Sequence, residues 1–192
     1  MPARIHTADR ADPSGLPAPS IVSQPHARNS PLDDLCAAIA EATTRLGGQK
    51  DRDVAAALAP FLGIPNLLGD ASCRCSADSY VRHLLSAGKD YTVLALVWRP
   101  GQMSPVHGHR TWCAFGVHRG WMTETFFSPG PQGCPMPRTC VERRVGDVTH
   151  AAADPSAIHR LANLGTENAI SIHVYGAPFD RLGDEVNQIW AD

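Results

Sequence analysis

Two histidines one residue apart, His107 and His109, stand inside the stretch Pro105–Gly120, PVHGHRTWCAFGVHRG. On a β-strand alternate side chains share a face, so both imidazoles would point the same way. Neutral imidazole is the commonest protein ligand for a metal ion, and two converging rings make two-thirds of a three-ligand site. The same spacing also serves a pair of exposed or hydrogen-bonded strand histidines. The chemistry depends on what else the chain brings to the same place.

A second row of interest is Ala169–Gly176, AISIHVYG. With period two, Ser171, His173 and Tyr175 share one face while Ile170, Ile172 and Val174 share the other. Three polar side chains facing the inside of a barrel are costly unless they bond to one another or to a site, and a chain from hydroxyl to imidazole to phenol would satisfy them. The alternative is an outward, solvated polar face.

These rows need a scaffold. The 192 residues suit one domain with a substantial core, and 43% hydrophobic with 19% charged residues is ordinary for a globular chain. A net charge of −2 advertises no polycationic surface, which argues against nucleic acid or an anionic membrane as partner. No apolar run approaches the roughly 20 residues a membrane helix needs, and no basic segment leads into a hydrophobic core as in a secretory signal. The six cysteines, Cys36, Cys73, Cys75, Cys113, Cys134 and Cys140, form no CxxC pair and read as reduced thiols of a cytoplasmic protein.

Residues 1–29 are rich in Pro, Ser, Ala and Asp, a composition that predicts a disordered tail. Ser30-Pro31 then opens a helix carrying Leu32, Leu35, Cys36, Ile39 and Leu46, which Gly47-Gly48 stops. A second helix runs from about Asp51 to Pro60. After Ser76 the period shifts towards two. Tyr80–Leu85 and Tyr91–Trp98 form a hairpin, and strands follow at Trp112–His118, Trp121–Phe127, Thr139–Val145, Ala157–Asn163 and Ala169–Gly176. Short strands, frequent turns and no alternating helices predict a mainly β antiparallel barrel or jelly roll. The expected organisation is a single domain over 30–192, with a small N-terminal helical cap at about 30–75 and the barrel at about 76–192.

The spacing Gly101, five residues, His107-x-His109, three residues, Cys113, six residues, Gly120 resembles the first motif of the cupins, G-x5-H-x-H-x3,4-E-x6-G. Cys113 replaces the glutamate ligand. His159-Arg160-Leu161-Ala162-Asn163 resembles the H-x3-N ending of the second cupin motif, which makes His159 the third ligand on a double-stranded β-helix. Two His and a carboxylate would leave a divalent ion at +1, whereas three neutral His leave +2 and open positions for an anionic thiolate and dioxygen. Three His also suit zinc. His118 and His150 read as structural or surface residues.

Ser171–Asp180, SIHVYGAPFD, narrows the resemblance to the cysteine dioxygenases, and Tyr80-Val81-Arg82 is similar to that family's Tyr-x-Arg. The resemblance covers roughly Tyr80–Asp180. It implies one Fe(2+) per chain held by His107, His109 and His159, and a relay of Ser171, His173 and Tyr175 beside it. It implies Arg82 on the substrate carboxylate with Tyr80 on the same side, and a Cys113–Tyr175 thioether. The implied activity is oxidation of L-cysteine by O2 to cysteine sulfinic acid, with small-molecule thiol and O2 as partners, by a monomer or weak oligomer. Two alternatives remain: a 3-mercaptopropionate dioxygenase of the same fold, for which Arg181 could reach in, and a metal-binding cupin without turnover. Gly108 stands where the family often has Asp, and the helical cap has no clear counterpart.

Overall fold

The structure, a computed structural model, describes residues 20–21, 30–69, 74–183 and 186–190. Its order is β1 (Ser20–Ile21), α1 (Pro31–Thr44), α2 (Lys50–Leu58), β2 (Val81–Ala87), β3 (Thr92–Trp98), β4 (Val106–His109), β5 (Cys113–Arg119), β6 (Trp121–Pro129), β7 (Pro135–Arg144), β8 (Val148–Ala151), β9 (Asp154–Ala162), β10 (Ala169–Tyr175) and β11 (Asn187–Trp190). The strands form a six-stranded sheet, β1-β2-β3-β10-β5-β8, and a five-stranded sheet, β11-β4-β9-β6-β7. All pairings are antiparallel except β1 with β2. Leu94, Leu96, Trp98, Phe115 and Val117 of the first sheet pack with Met122 and Leu161 of the second. This is the mainly β antiparallel architecture that the alternation predicted, in the double-stranded form that the cupin resemblance implied.

Both faces of the six-stranded sheet are covered. Every residue of β3 is buried, and β10 is buried through Val174. The second face is sealed by the helices: Leu32, Leu35, Ile39 and Ala42 of α1 and Val54, Ala55 and Leu58 of α2 join Val93, Ala95, Val97, Ile170, Ile172 and Val174 in one cluster. The two faces of β10 are therefore both dry, and its polar row has no solvated side to occupy.

Ser30 caps α1 as expected, its Oγ accepting from Asp33 N–H (3.1 Å) while the Asp33 carboxylate accepts from Ser30 N–H (3.2 Å). The helix ends at Thr44, two residues before Leu46, which is exposed. Leu46 is thus not part of the buried stripe predicted for it. Shortening Leu35, fully buried in α1, to alanine is expected to cost about 2–5 kcal/mol of stability. Urea unfolding checks this, and the site on the sheet's other face should retain its ligand geometry.

Two further differences have local causes. β7 begins at Pro135, inside a proline-rich stretch that reads as a turn; it is an edge strand paired only with β6, where proline is tolerated. β8 and β11 have four residues each, too few to show a period. The expected disordered tail over residues 1–29 lies outside the described residues, apart from Ser20–Ile21, which pair with His83 and Leu84 of β2.

Candidate metal centre

His107 and His109 are carried by β4 and His159 by β9, directly opposite His107 in the ladder. The pairing shifts register between His107 and His109. At the residue between them, a Cβ would lie 2.1 Å from the Pro155 carbonyl oxygen and 2.7 Å from its carbon. Only glycine lets the β9 backbone come so close, which explains Gly108 in place of an acidic residue.

All three imidazoles are buried, at 7%, 6% and 8% exposure, so each ring nitrogen needs a partner. His107 Nδ1 lies 2.9 Å from the Pro105 carbonyl oxygen; a carbonyl only accepts, so the proton is on Nδ1. His159 Nδ1 lies 2.9 Å from Glu124 Oε1. Burial alone would raise the Glu124 carboxyl, but hydrogen bonds and charge from His159 and Arg143 outweigh it and hold it below its ordinary value. Glu124 is therefore an acceptor, and His159 donates from Nδ1. Opposite His109 in the β4–β11 ladder is Asn187, a neutral amide whose nearness opposes the lowering of that ring's pKa. Among the described residues neither His109 Nδ1 nor Asn187 Oδ1 has a hydrogen-bond partner.

With the Nδ1 protons of His107 and His159 spent in this way, their Nε2 lone pairs are left to converge with the His109 ring. One ligand atom from each ring lies within 4.8 Å of the others, and His109 Nε2 is 3.0 Å from His159 Nε2. Two lone pairs at that distance need a proton or a cation between them, and ligands about 2.1 Å from one ion at a right angle are about 3 Å apart. Protonating His107 or His109 is a poor substitute, since burial pushes His107 down to about 3 and His109 well below its usual value. The donor set fits a divalent metal.

A cavity of about 510 Å³ opens beside the triad, walled by Tyr80, Arg82, Trp98, His107, His173 and Tyr175 among others. Arg82 is 6% exposed and shares the inner face of β2 with Leu84, while Tyr80 stacks on Trp98 with ring centroids 4.1 Å apart. On β10 the polar row faces inward as one chain. Trp98 Nε1–H donates to Ser171 Oγ (2.8 Å), Ser171 Oγ meets His173 Nε2 (2.8 Å), and His173 Nδ1 meets Tyr175 Oη (3.2 Å). Indole only donates, which leaves His173 Nε2 as the acceptor in reach of the Ser171 proton; in that tautomer His173 donates from Nδ1 to the phenol oxygen. The Tyr175 proton is then free to point into the cavity. Burial pushes the phenol well above its ordinary value, with Cys113 and Tyr80 adding and the Arg82 charge opposing, so it stays protonated at neutral pH.

Cys113 is opposite Tyr175 in the β5–β10 ladder. The next pair is hydrogen-bonded, Gly176 N–H to the Trp112 carbonyl oxygen (2.9 Å), so Cys113 and Tyr175 form the non-hydrogen-bonded type in which side chains approach most closely. Cys113 also lines a second cavity of about 450 Å³ with His109, Phe115, Glu124, Phe126 and His159. Burial, then the Glu124 and Asp51 charges, push its thiol up to about 12.

A family model, Cysteine dioxygenase type I, matches residues 72–184, a span holding every site residue named from the sequence. The chain belongs to the cysteine dioxygenase type I family. Cysteine dioxygenase type 1 of Rattus norvegicus is 30% identical over 109 residues, which cover 53% of this chain and 52% of that protein. The Homo sapiens protein is 31% identical over 106 residues, with the same shares. The chain thus spans about half the length of the curated relatives it matches. Among solved structures, an uncharacterized conserved protein with a double-stranded β-helix domain from Klebsiella pneumoniae gives a TM-score of 0.46 at 22% identity, over 64% of this chain and 94% of that one.

In this cysteine dioxygenase family chain, sequence reasoning missed Trp98, Glu124, Arg143 and Asn187. Glu124 left a readable signal, a carboxylate at the inward position of β6 between Met122 and Phe126. Asn163 of the H-x3-N motif shapes a loop: its Nδ2 donates to the carbonyls of Trp98 (2.9 Å) and Glu167 (2.8 Å), and its Oδ1 accepts from Gly165 N–H. His118 accepts from Gly63 N–H (3.1 Å) and His150 meets Asp51 (2.8 Å), both apart from the triad.

Burial also makes the relay acid-sensitive. It pushes His173 down to about 3, with the His109 and His159 charges adding. Between that value and about 6.5 the unfolded chain binds a proton that the folded chain does not, so stability falls as pH drops through this window, by up to about 1.4 kcal/mol per pH unit. In metal-free protein, His173→Gln is expected to flatten this slope by one proton's worth, as measured by urea midpoints from pH 7 to 4.

Proposed function

We propose that this chain is a mononuclear non-haem iron(II) thiol dioxygenase, with one Fe(2+) per chain, that converts L-cysteine and O2 to cysteine sulfinic acid. The observation that carries it is the three-histidine group beside a cavity that also presents Arg82 and the Tyr175 hydroxyl. His107, His109 and His159 would hold the ion through Nε2. Bound iron(II) would supply the thiolate affinity and the dioxygen activation that the side chains lack.

The remaining roles belong to the chain's own groups. Arg82 offers a planar fork of donors that pairs bidentately with a carboxylate and so orients the amino acid. Tyr80, stacked on Trp98, holds the same wall of the cavity. Tyr175 keeps its proton and donates it towards the reacting sulfur and oxygen atoms, aligned by His173, Ser171 and Trp98. The apolar wall of Leu94, Leu96 and Leu161 keeps bulk water from the site. Both atoms of O2 end on the substrate sulfur, so the thiol becomes a sulfinate.

A Cys113–Tyr175 thioether belongs to the same proposal. Its formation removes the thiol hydrogen and one ring hydrogen, with dioxygen as oxidant. Support comes from their opposed, close-approach positions. A cytoplasmic setting and a monomer or weak oligomer complete it. No described helix is long and apolar enough to cross a membrane, and Cys36, Cys75, Cys113, Cys134 and Cys140 are unbridged.

Incubation with cysteine or 3-mercaptopropionate under labelled O2 tests the substrate. Cysteine should be turned over faster and its sulfinate should carry both labelled oxygens; equal or faster use of 3-mercaptopropionate would overturn the choice of cysteine. Intact mass should fall by two hydrogens after turnover if the thioether forms, and an unchanged mass would rule it out.

A further inference from the structure

The three metal-centre histidines differ in what holds the far side of each ring. His107 donates to a neutral backbone carbonyl, and His109 Nδ1 has no hydrogen bond, with only the neutral amide Asn187 opposite it in the ladder. His159 alone donates to a carboxylate. That carboxylate, Glu124, is 2% exposed, and its second oxygen accepts from both Arg143 Nε (2.9 Å) and Arg143 Nη2 (2.7 Å). Glu124 lies in the inward row of β6, between Met122 and Phe126, where an apolar residue would pack at no desolvation cost. Well-packed apolar residues in place of a buried ion pair are often neutral or stabilising. Stability alone is thus a weak reason for a buried Arg–Glu pair at this position, and its contact with only one of the three rings points elsewhere.

We propose that Glu124 and Arg143 are positioning residues for the metal, which make His159 the strongest of the three donors and place, one bond beyond the ligands, the negative charge that a ligating carboxylate would otherwise provide. This rests on the proposed metal centre. Three neutral imidazoles leave the charge of a divalent ion uncompensated. An anionic acceptor on Nδ1 draws that proton away and raises the basicity of Nε2, as carboxylate–histidine–metal arrays do. Arg143 keeps the carboxylate ionised and, by occupying Oε2, leaves Oε1 to His159. Cys113 stands where a cupin glutamate would ligate directly, so the charge enters through β6 rather than β5.

Cobalt(II) affinity, measured by chelator competition, tests this in the full chain. Glu124→Gln keeps the shape and removes the charge. Glu124→Gln with Arg143→Met removes both charges, so no unpaired ion is buried and the barrel can fold. Both are expected to bind cobalt about 10–100-fold more weakly than the parent. In the zinc-loaded proteins, the low-field proton resonance of His159 Nδ1–H should move upfield in both variants, a change that a purely structural role would not cause. A double variant that binds cobalt as tightly as the parent, with that resonance unmoved, would overturn the proposal. A parent that binds no cobalt would overturn the metal centre itself.

Discussion

Replacing His159 by alanine is expected to strip the metal from the protein while leaving the barrel folded. His159 is the only ligand candidate on β9, and its Nε2 is the atom that approaches His109 Nε2 at 3.0 Å. Without it two imidazoles remain on β4, His107 held by a neutral carbonyl and His109 by no hydrogen bond on its far side. Removing a supporting hydrogen bond costs about 10–100-fold in metal affinity, and removing the ligand should cost more. The Glu124–Arg143 pair keeps its own contacts, so the barrel should stay folded, with a lower thermal midpoint because Glu124 Oε1 loses its partner. Metal analysis of purified protein should show near-complete loss in His159→Ala and full content in His118→Ala, whose ring serves only the Gly63 amide near the helical cap. Iron retained at parent level in His159→Ala would remove this residue from the site.

The second large effect is expected at Arg82. It is almost fully buried on the inner face of β2, lines the cavity, and its charge reaches the Tyr175 phenol. Hydrogen bonds to charged groups contribute about 1.5–3 kcal/mol each, so losing a bidentate pair to a substrate carboxylate should lower kcat/KM for cysteine by about 100-fold or more. Arg82→Lys should recover little, because an ammonium cannot form the two parallel bonds of the fork. Arg82→Met should leave oxidation of cysteamine, which has no carboxylate, near its parent rate. Oxygen-electrode assays with the two thiols make the comparison. An equal loss for both would mean that Arg82 holds the cavity's shape rather than the carboxylate.

Much of the site was legible because its spacing is periodic. His107 and His109 alternate on one strand, as do Ser171, His173 and Tyr175, and a period of two survives any detail of tertiary structure. What decided between an inward and an outward polar row on β10 lies far away in sequence: α1 and α2 cover Ile170, Ile172 and Val174, so neither face meets water. Glu124 and Arg143 escaped because their partnership crosses strands and 19 residues, with β6 and β7 registering Glu124 opposite Val141. Asn187 sits on a strand of four residues, and no local pattern ties it to His109, 78 positions earlier in the chain. Gly108 stands where the family often has Asp; its role is steric, set by a carbonyl of β9 that no linear reading places beside it.

The central claim, a three-histidine iron centre for thiol oxidation, is tested most directly by measuring metal content and oxygen uptake on the same preparation. About one iron per chain is expected, with dioxygen consumed only after thiol is added and one sulfinate formed per O2. Zinc at full occupancy, iron absent, and no uptake with either thiol would contradict it.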